Sequence, residues 1–516
     1  MRIAIIDLLV DTPPRSALGR LYGLHFRKQF MSLAPQAVSV WCRELGHEVH
    51  YATYWGQDDP LQLVPDEVDV LFIAAYTQAS ALAYALAKIF RRRGTLTVIG
   101  GPHARAFPTD CLRFFDFAVR DCDKALIDDI LRGRFDPPAL VSSGRQLVDF
   151  PSVAERAPEI EIASFHRGRR LLTSSVPLLS SVGCPYSCNF CVDWNSRYVA
   201  LPPDRLAGDL REIARRWPGL PIVFHDPNFA VRFDQTMAVL EARPPGDRSP
   251  YLMESSLSIL KGSRMARLRR TNCLYVAPGI ESWIDYGNKA GDTASQGRAK
   301  LDRVVAHFQE LGRYVPGLQA NFIFGADGDR GSEPVALTIE FIRRLPQVWP
   351  AINIPSPFGG TPLYDQWRRE GRILAAMPFA FYYNPYLAIV PRHYDPVDYY
   401  DHLIALHEAM LAPGLLWRRL SVRAPLAIRF VNGLRTLGVR QDLAAFRRLR
   451  AMLAKDASFR AFHEGRRSDL PAHYHALLDR RLGRFAALLP HHERRPVLEP
   501  LASAASARHP VLTAAG

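Results

Sequence analysis

The chain has 516 residues, a net charge of +14 and 48% hydrophobic residues, so it is too long for one ordinary domain and has apolar material for several cores. No run reaches the roughly 18 consecutive apolar residues that span a bilayer, and Met1–Val10, broken by Asp7 and followed by Asp11, lacks the layout of a secretory leader. The seven cysteines are odd in number, and three fall within eight residues; this argues against a secreted disulfide framework and for a cytoplasmic protein with a metal site.

In chain order, Arg2–Leu9 reads as a buried strand, Pro35–Leu45 as a helix stopped by Gly46, and Val70–Ala75 as a second buried strand. Leu82, Leu86, Ile89 and Phe90 recur at helical spacing up to Arg91-Arg92-Arg93-Gly94, and Thr95–Ile99 then runs into Gly100-Gly101-Pro102-His103. This alternation predicts a doubly wound parallel sheet over residues 1–145, whose ligands would sit beyond the carboxyl ends of the strands. Residues 142–170 read as a polar linker. Over residues 171–395 the alternation resumes, with strands expected at Val176–Val182, Pro221–His225, Tyr251–Glu254, Leu274–Ile280, Gln319–Phe324 and Ala351–Pro355. Six βα units make an incomplete (β/α)₈ barrel, with its chemistry at the C-terminal strand ends. Residues 396–500 read as Arg-rich amphipathic helices, such as Leu443–Leu453 and Ala476–Leu489. Tyr382, Tyr383, Tyr399, Tyr400 and His402 are candidates to close the barrel mouth, with the tyrosines reading first as ordinary core and surface residues, and the Ala- and Ser-rich tail 501–516 reads as disordered. The fold class is therefore α/β, with an α-helical C-terminal region.

The chemistry concentrates in Cys184-Pro185-Tyr186-Ser187-Cys188-Asn189-Phe190-Cys191, directly after the first barrel strand. Three thiolates on a tight loop can hold three irons of a cube and leave the fourth open to a ligand. A zinc site recruiting His225, or a four-cysteine electron-transfer cluster, would need a further ligand from elsewhere.

Cys184-x-x-x-Cys188-x-x-Cys191 with Phe190 resembles the signature of the radical S-adenosylmethionine (SAM) superfamily. The resemblance continues through Phe224-His225-Asp226-Pro227-Asn228-Phe229, Pro278-Gly279-Ile280-Glu281-Ser282, Phe322-Ile323-Phe324-Gly325 and Pro357-Phe358-Gly359-Gly360-Thr361-Pro362-Leu363-Tyr364. It implies a [4Fe–4S] cluster on Cys184, Cys188 and Cys191. It also implies SAM contacts from Phe190, Asp226, Glu281, Ser282 and Gly325, and reductive cleavage of SAM to a 5′-deoxyadenosyl radical. After Gly325 the family often continues with Pro and Glu, whereas this chain has Ala326-Asp327-Gly328-Asp329.

The N-terminal region resembles the cobalamin-binding domain that precedes many radical SAM cores, through Leu45–Val49, Ile73–Ser80 and Val98–Arg105 with Pro108. The resemblance implies cobalamin beside Thr77, Gln78, Gly100 and Gly101, where glycine lets backbone approach a ligand. His25, His47, His50 and His103 all lack the Asp-x-His-x-x-Gly context that ligates cobalt in other cobalamin proteins. The implied activity is radical methyl transfer to an unactivated carbon. Beside it stand a cobalamin-independent radical rearrangement, cyclisation or oxidation, and a non-catalytic cluster sensor. The expected partners are a small-molecule or natural-product substrate and an electron donor such as flavodoxin or ferredoxin. The positive charge fits a solvated Arg-rich surface, a phosphate-bearing cofactor or an anionic membrane; nucleic acid is not the expected partner.

Overall fold

A computed structural model describes residues 1–11, 16–57, 59–284, 296–421, 424–501 and 512–513. Its strands are β1 Arg2–Leu8, β2 Glu48–Tyr54, β3 Val70–Ala75, β4 Leu96–Gly100, β5 Phe117–Val119, β6 Ala139–Ser142, β7 Val176–Leu178, β8 Ser181–Val182, β9 Val199–Ala200, β10 Ile222–Phe224, β11 Tyr251–Met253, β12 Cys273–Val276, β13 Gly279–Glu281, β14 Gly317–Ile323, β15 Val348–Asn353 and β16 Leu512–Thr513.

The first sheet runs β16-β6-β5-β4-β3-β1-β2, all parallel. Ile3, Ala4, Ile5 and Ile6 are at most 1% exposed, as expected of a strand covered on both faces. Chain order reverses between β1 and β3, which marks the crevice where open α/β sheets take ligands. Within the tail read as disordered, Leu512 and Thr513 instead extend this sheet, pairing with Val141 and Ser142; an open sheet edge offers backbone partners to a segment whatever its composition.

The second sheet is the partial barrel, β7-β10-β11-β12 and β13-β14-β15, also parallel throughout. The fourth strand, expected as one run, is split into β12 and β13 at Ala277–Pro278, and both halves pair with β14; proline has no N–H to give a ladder. The expected first strand is also shorter: the chain leaves β7 at Leu178 and forms a separate antiparallel pair, β8 with β9. Trp283, Phe308, Phe322 and Phe341 pack between the sheet and its outer helices, and burying each such side chain contributes roughly 1.5–3 kcal/mol.

The expected polar linker contains a packed helix, Ala157–Ser164. Val153, Ala157, Ile160 and Ala163 are fully buried. The Arg156 guanidinium, 2% exposed, donates to Gln36 Oε1 at 2.8 Å in the first domain and to the Pro177 carbonyl on β7. Glu159 accepts from Ser39 at 2.7 Å and pairs with Arg43. This segment fastens the two sheets together.

The C-terminal helices Pro396–Met410, Leu426–Lys455 and Ala472–Leu482 close against both. One continuous core joins Phe107 of the first domain, Tyr364 and Phe379 after the barrel, and Phe446 and Phe459 of these helices; the Phe107 and Phe379 rings stack at 3.9 Å. Among the described residues, no helix is long and apolar enough to cross a membrane.

Candidate functional site

The cysteine loop is held by its neighbours on every side. Gly183 takes φ +68°, and a Cβ there would strike the Arg197 carbonyl, so the turn into Cys184 requires glycine. Cys184 N–H donates to the Ser196 carbonyl at 3.2 Å, and Cys191 N–H to the Cys188 carbonyl at 3.0 Å. The Tyr186 hydroxyl meets Ser258 Oγ at 2.7 Å. Leu363 N–H donates to the Asn189 carbonyl at 3.0 Å, and Trp194 Nε1 to the Gly360 carbonyl at 2.8 Å. The Gly360-Thr361-Pro362-Leu363 motif therefore buttresses the loop.

Cys184 is buried, and Cys188 and Cys191 are half-buried. Among the described residues, no three His, Cys, Asp or Glu side chains converge as one metal ion requires. Ligands to a cube each hold a different iron and so stand apart.

Asp226, expected at SAM, has its carboxylate engaged at the base of this loop. It accepts from Ser180 N–H at 3.0 Å, and from the Ser180 and Ser181 hydroxyls at 2.6 Å each. Burial raises its carboxyl more than these donors lower it, and the balance stands at about 6. Asp226 is thus a positioning residue that fixes where the chain leaves β7 for Cys184. Asp226→Ala leaves buried donors unsatisfied, a cost of about 1–3 kcal/mol. We expect it to shed iron from reconstituted protein severalfold faster than wild type, with Asp226→Asn intermediate; iron release followed with a ferrous chelator measures this.

The Glu281, Ser282 and Gly325 positions lie at adjoining strand ends. Glu281, 8% exposed, pairs in register with Phe322 and holds φ +62°, a left-handed conformation unusual for a non-glycine and concentrated at functional sites. Ser282 Oγ donates to Asp329 Oδ1 at 2.8 Å, and Gly325 N–H to Asp329 Oδ2 at 3.0 Å. One buried carboxylate thus ties the fourth strand end to the fifth. Lys300 Nζ, 1% exposed, reaches the Ser282 carbonyl. Gly325 has φ +88°, and a Cβ there would drive into the Tyr399 ring, whose hydroxyl donates to the Phe324 carbonyl at 2.6 Å. Tyr399 and Tyr400 are fully buried, so they seal the back of this region as core residues.

In the first domain, Gly101 approaches the Ala75 backbone closely, with φ +85°, while Gly100 has open space before it. Thr77 is buried, and Gln78 donates to the Leu9 carbonyl at 3.3 Å. A cavity of about 780 Å³ opens at the β1/β3 crevice, lined by Leu9, Val10, Tyr76, Gln78, Tyr383 and Leu434 among others.

His103 lies outside this cavity. It is fully buried, its Nε2 is 2.7 Å from the Tyr84 hydroxyl, which donates to Asp110, and burial depresses its imidazole to about 3. It is a structural hydrogen-bonder.

Sequence reasoning missed Arg105, Asp329 and Lys300. Arg105 lies on the helix Gly101–Ala106 that follows β4. It donates to Asp193 Oδ1 at 3.0 Å and Ser196 Oγ at 2.9 Å, just beyond Cys191. The cysteine loop therefore sits on the C-terminal edge of the first sheet, the edge that also carries the cavity. The legible signal was the opposite charges flanking two otherwise unrelated motifs.

No family model matches the chain. Its curated relatives include the bacteriochlorophyllide d C-8(2)-methyltransferase of Chlorobaculum tepidum, 22% identical over 361 residues, covering 64% of this chain and 75% of that protein. The hopanoid C-3 methylase of Methylococcus capsulatus is 23% identical over 443 residues, covering 76% and 79%. Among solved structures, the radical SAM methyltransferase TsrM of Kitasatospora setae with cobalamin and [4Fe–4S] cluster bound superposes with a TM-score of 0.53 at 13% identity, covering 87% of this chain and 99% of that one. A second TsrM structure, with tryptophan substrate and a SAM analogue, gives 0.54 at 12%. At such identities the structural likeness is one of fold, and it extends over the parallel sheet, the partial barrel and the helices together. The chain thus shares with TsrM a fold in which a doubly wound sheet packs on a partial barrel, and its own cysteine loop stands at the end of the first barrel strand.

Proposed function

We propose that this enzyme holds a [4Fe–4S] cluster on Cys184, Cys188 and Cys191, binds SAM near Phe190, Glu281, Ser282 and Gly325, and uses cobalamin to methylate an unactivated carbon of a small-molecule substrate. The observation that carries this reading is the shared edge: Arg105 fastens the cysteine loop to the helix after β4, on the sheet edge that bears the β1/β3 cavity. Two cofactors bound there would face one another. The relatives named as methyltransferases, and TsrM with cobalamin, cluster and SAM analogue, support the same reading.

The residues present suit both groups. Three cysteines in one loop, with no fourth cysteine in it, match a cube with one open iron. The cavity offers apolar walls at Leu9 and Val10 and polar groups at Tyr76 and Gln78, a mixed lining that suits a large amphipathic cofactor, with Thr77, Gly100 and Gly101 on the same edge. When bound, the cluster supplies an electron for SAM cleavage and cobalamin supplies a methyl carrier.

The protein's own share is positioning. Asp226 sets the cysteine loop, Asp329 joins the strand ends that carry Ser282 and Gly325, and Tyr399 closes the region behind them. An electron donor of the flavodoxin or ferredoxin class completes the turnover.

The test is anaerobic, cluster-loaded protein given SAM and dithionite. It should release 5′-deoxyadenosine or S-adenosylhomocysteine, and Glu281→Ala should weaken SAM binding roughly tenfold or more, the loss of a hydrogen bond with a charged partner. The iron content of that variant should match wild type. A loaded wild type that neither binds nor consumes SAM would overturn the proposal.

A further inference from the structure

Among the described residues, five of the eleven exposed large apolar side chains lie on the helical segments 17–30, 413–420 and 426–455: Leu18, Leu21, Phe30, Trp417 and Leu426. Leu18 and Phe30 line the cavity itself. Trp417 is 73% and Leu426 70% exposed, the two highest values for a large apolar side chain among the described residues.

These residues belong to one surface. The helix Ala17–His25 lies along the helix Leu426–Lys455, with His25 against the Phe430 ring at 5.2 Å and Arg435 over Phe26 at 4.7 Å. Leu21 is one turn from His25, and Leu426 one turn from Phe430; residues four apart share a helix face, so the four form a continuous stripe. The helix Pro413–Leu420, which carries Trp417, is tied to the same helix by the Arg429 bond to the Leu420 carbonyl.

The charge here is one-sided. Residues 411–441 contain six arginines and no acidic residue, and residues 16–30 contain Arg20, Arg27 and Lys28 with no acidic residue. Arg20, Arg418, Arg429 and Arg440 are exposed. Exposed apolar side chains including a tryptophan, set among exposed arginines on the same helices, are the composition of a surface that lies in a lipid interface. An aqueous protein partner of ordinary charge would leave these arginines less well matched than anionic headgroups do.

We infer that this face docks the enzyme peripherally on an anionic lipid bilayer, with Trp417 and Leu426 inserted at the headgroup boundary and the cavity mouth turned toward the membrane. The substrate would then be a membrane-partitioned apolar molecule that reaches the cavity from the lipid side. This last clause rests on the function proposed above; the docking itself does not.

The experiment uses the full chain with vesicles of phosphatidylcholine and phosphatidylglycerol at 3:1, and of phosphatidylcholine alone. Wild type should float with the anionic vesicles and partition roughly tenfold less onto neutral ones, or at high salt. Trp417→Ser with Leu426→Ser should lose binding by roughly tenfold or more, as expected for two lost apolar anchors, at unchanged iron loading. Brominated lipid should quench the emission that distinguishes wild type from Trp417→Phe. Wild type that stays with the soluble fraction, or a double variant that floats as wild type does, overturns the proposal. So does a double variant whose only change is loss of self-association in light scattering, since a second copy would then be what covers the face.

Discussion

Replacing Cys184, Cys188 and Cys191 together with alanine should leave a folded protein that carries no cluster and neither cleaves SAM nor methylates anything. Wild type reconstituted anaerobically should bind about four irons per chain, the content of one cube, with the broad charge-transfer absorbance of a [4Fe–4S] centre. The folding half of this prediction comes from where the loop gets its order. The backbone of Cys184 and Asn189 and the side chains of Tyr186 and Trp194 hold it through Ser196, Leu363, Ser258 and Gly360, and none of these bonds uses a thiol. Cys188 and Cys191 are half-buried, so losing their sulfurs empties little core volume.

The other cysteines are the control. Cys42, Cys111 and Cys273 are buried, and Cys122 is half-buried. Burial pushes the thiols of Cys42, Cys122 and Cys273 up to about 12, which leaves them protonated and inert as ligands. Cys42→Ala or Cys273→Ala should keep full iron content. A triple variant that retains its iron, measured by colorimetric iron assay and absorbance, would remove the cluster assignment and the radical chemistry with it.

How far the sequence carries this conclusion depends on where each interaction is local. Val70–Ala75 was legible to the residue, because a six-residue apolar run after Asp66-Glu67-Val68-Asp69 has one sensible place, inside a sheet. The helices ending at Gly46 and Gly94 were legible because glycine at positive φ ends a helix. The barrel strands were found from their apolar runs, but not their breaks. Nothing local says that the chain leaves β7 at Leu178, since the cause is Asp226, 46 residues beyond Ser180, drawing in Ser180 and Ser181.

The helix Ala157–Ser164 was hidden for the same reason. Its Glu159 reads as solvated, yet it is 1% exposed and satisfied by Ser39 and Arg43 from the first domain. Asp329 could not be placed from sequence either, because its two partners lie on different strands. The cysteine loop was the most legible feature because its chemistry needs consecutive ligands, whereas the groups that position it are scattered.

Omitting cobalamin should abolish the methylated product, and when cobalamin is bound its cobalt should carry no histidine nitrogen. The second half follows from where the first domain's imidazoles are. His103 is sealed against Tyr84 with no exposure. His25 Nδ1 meets Thr173 Oγ1 at 3.3 Å, and His50 pairs with Glu48 at 3.0 Å near the start of β2. His47 directly precedes that strand, at the edge opposite the β1/β3 crevice. None of the four lines the cavity. Moving His103 outward would break its bond to Tyr84 and open a packed aromatic cluster with Phe107 and Phe379, a cost of several kcal/mol on the scale of core disruption. Gly100 has open space before it. Electron paramagnetic resonance of the cobalt(II) state should accordingly lack nitrogen superhyperfine splitting, and His103→Ala should leave that spectrum unchanged while lowering thermal stability. Triplet splitting of the cobalt lines would sink the ligation scheme. Methylation that proceeds without cobalamin would separate the cluster chemistry from the first domain, and would make that domain a structural support for the cysteine loop through Arg105.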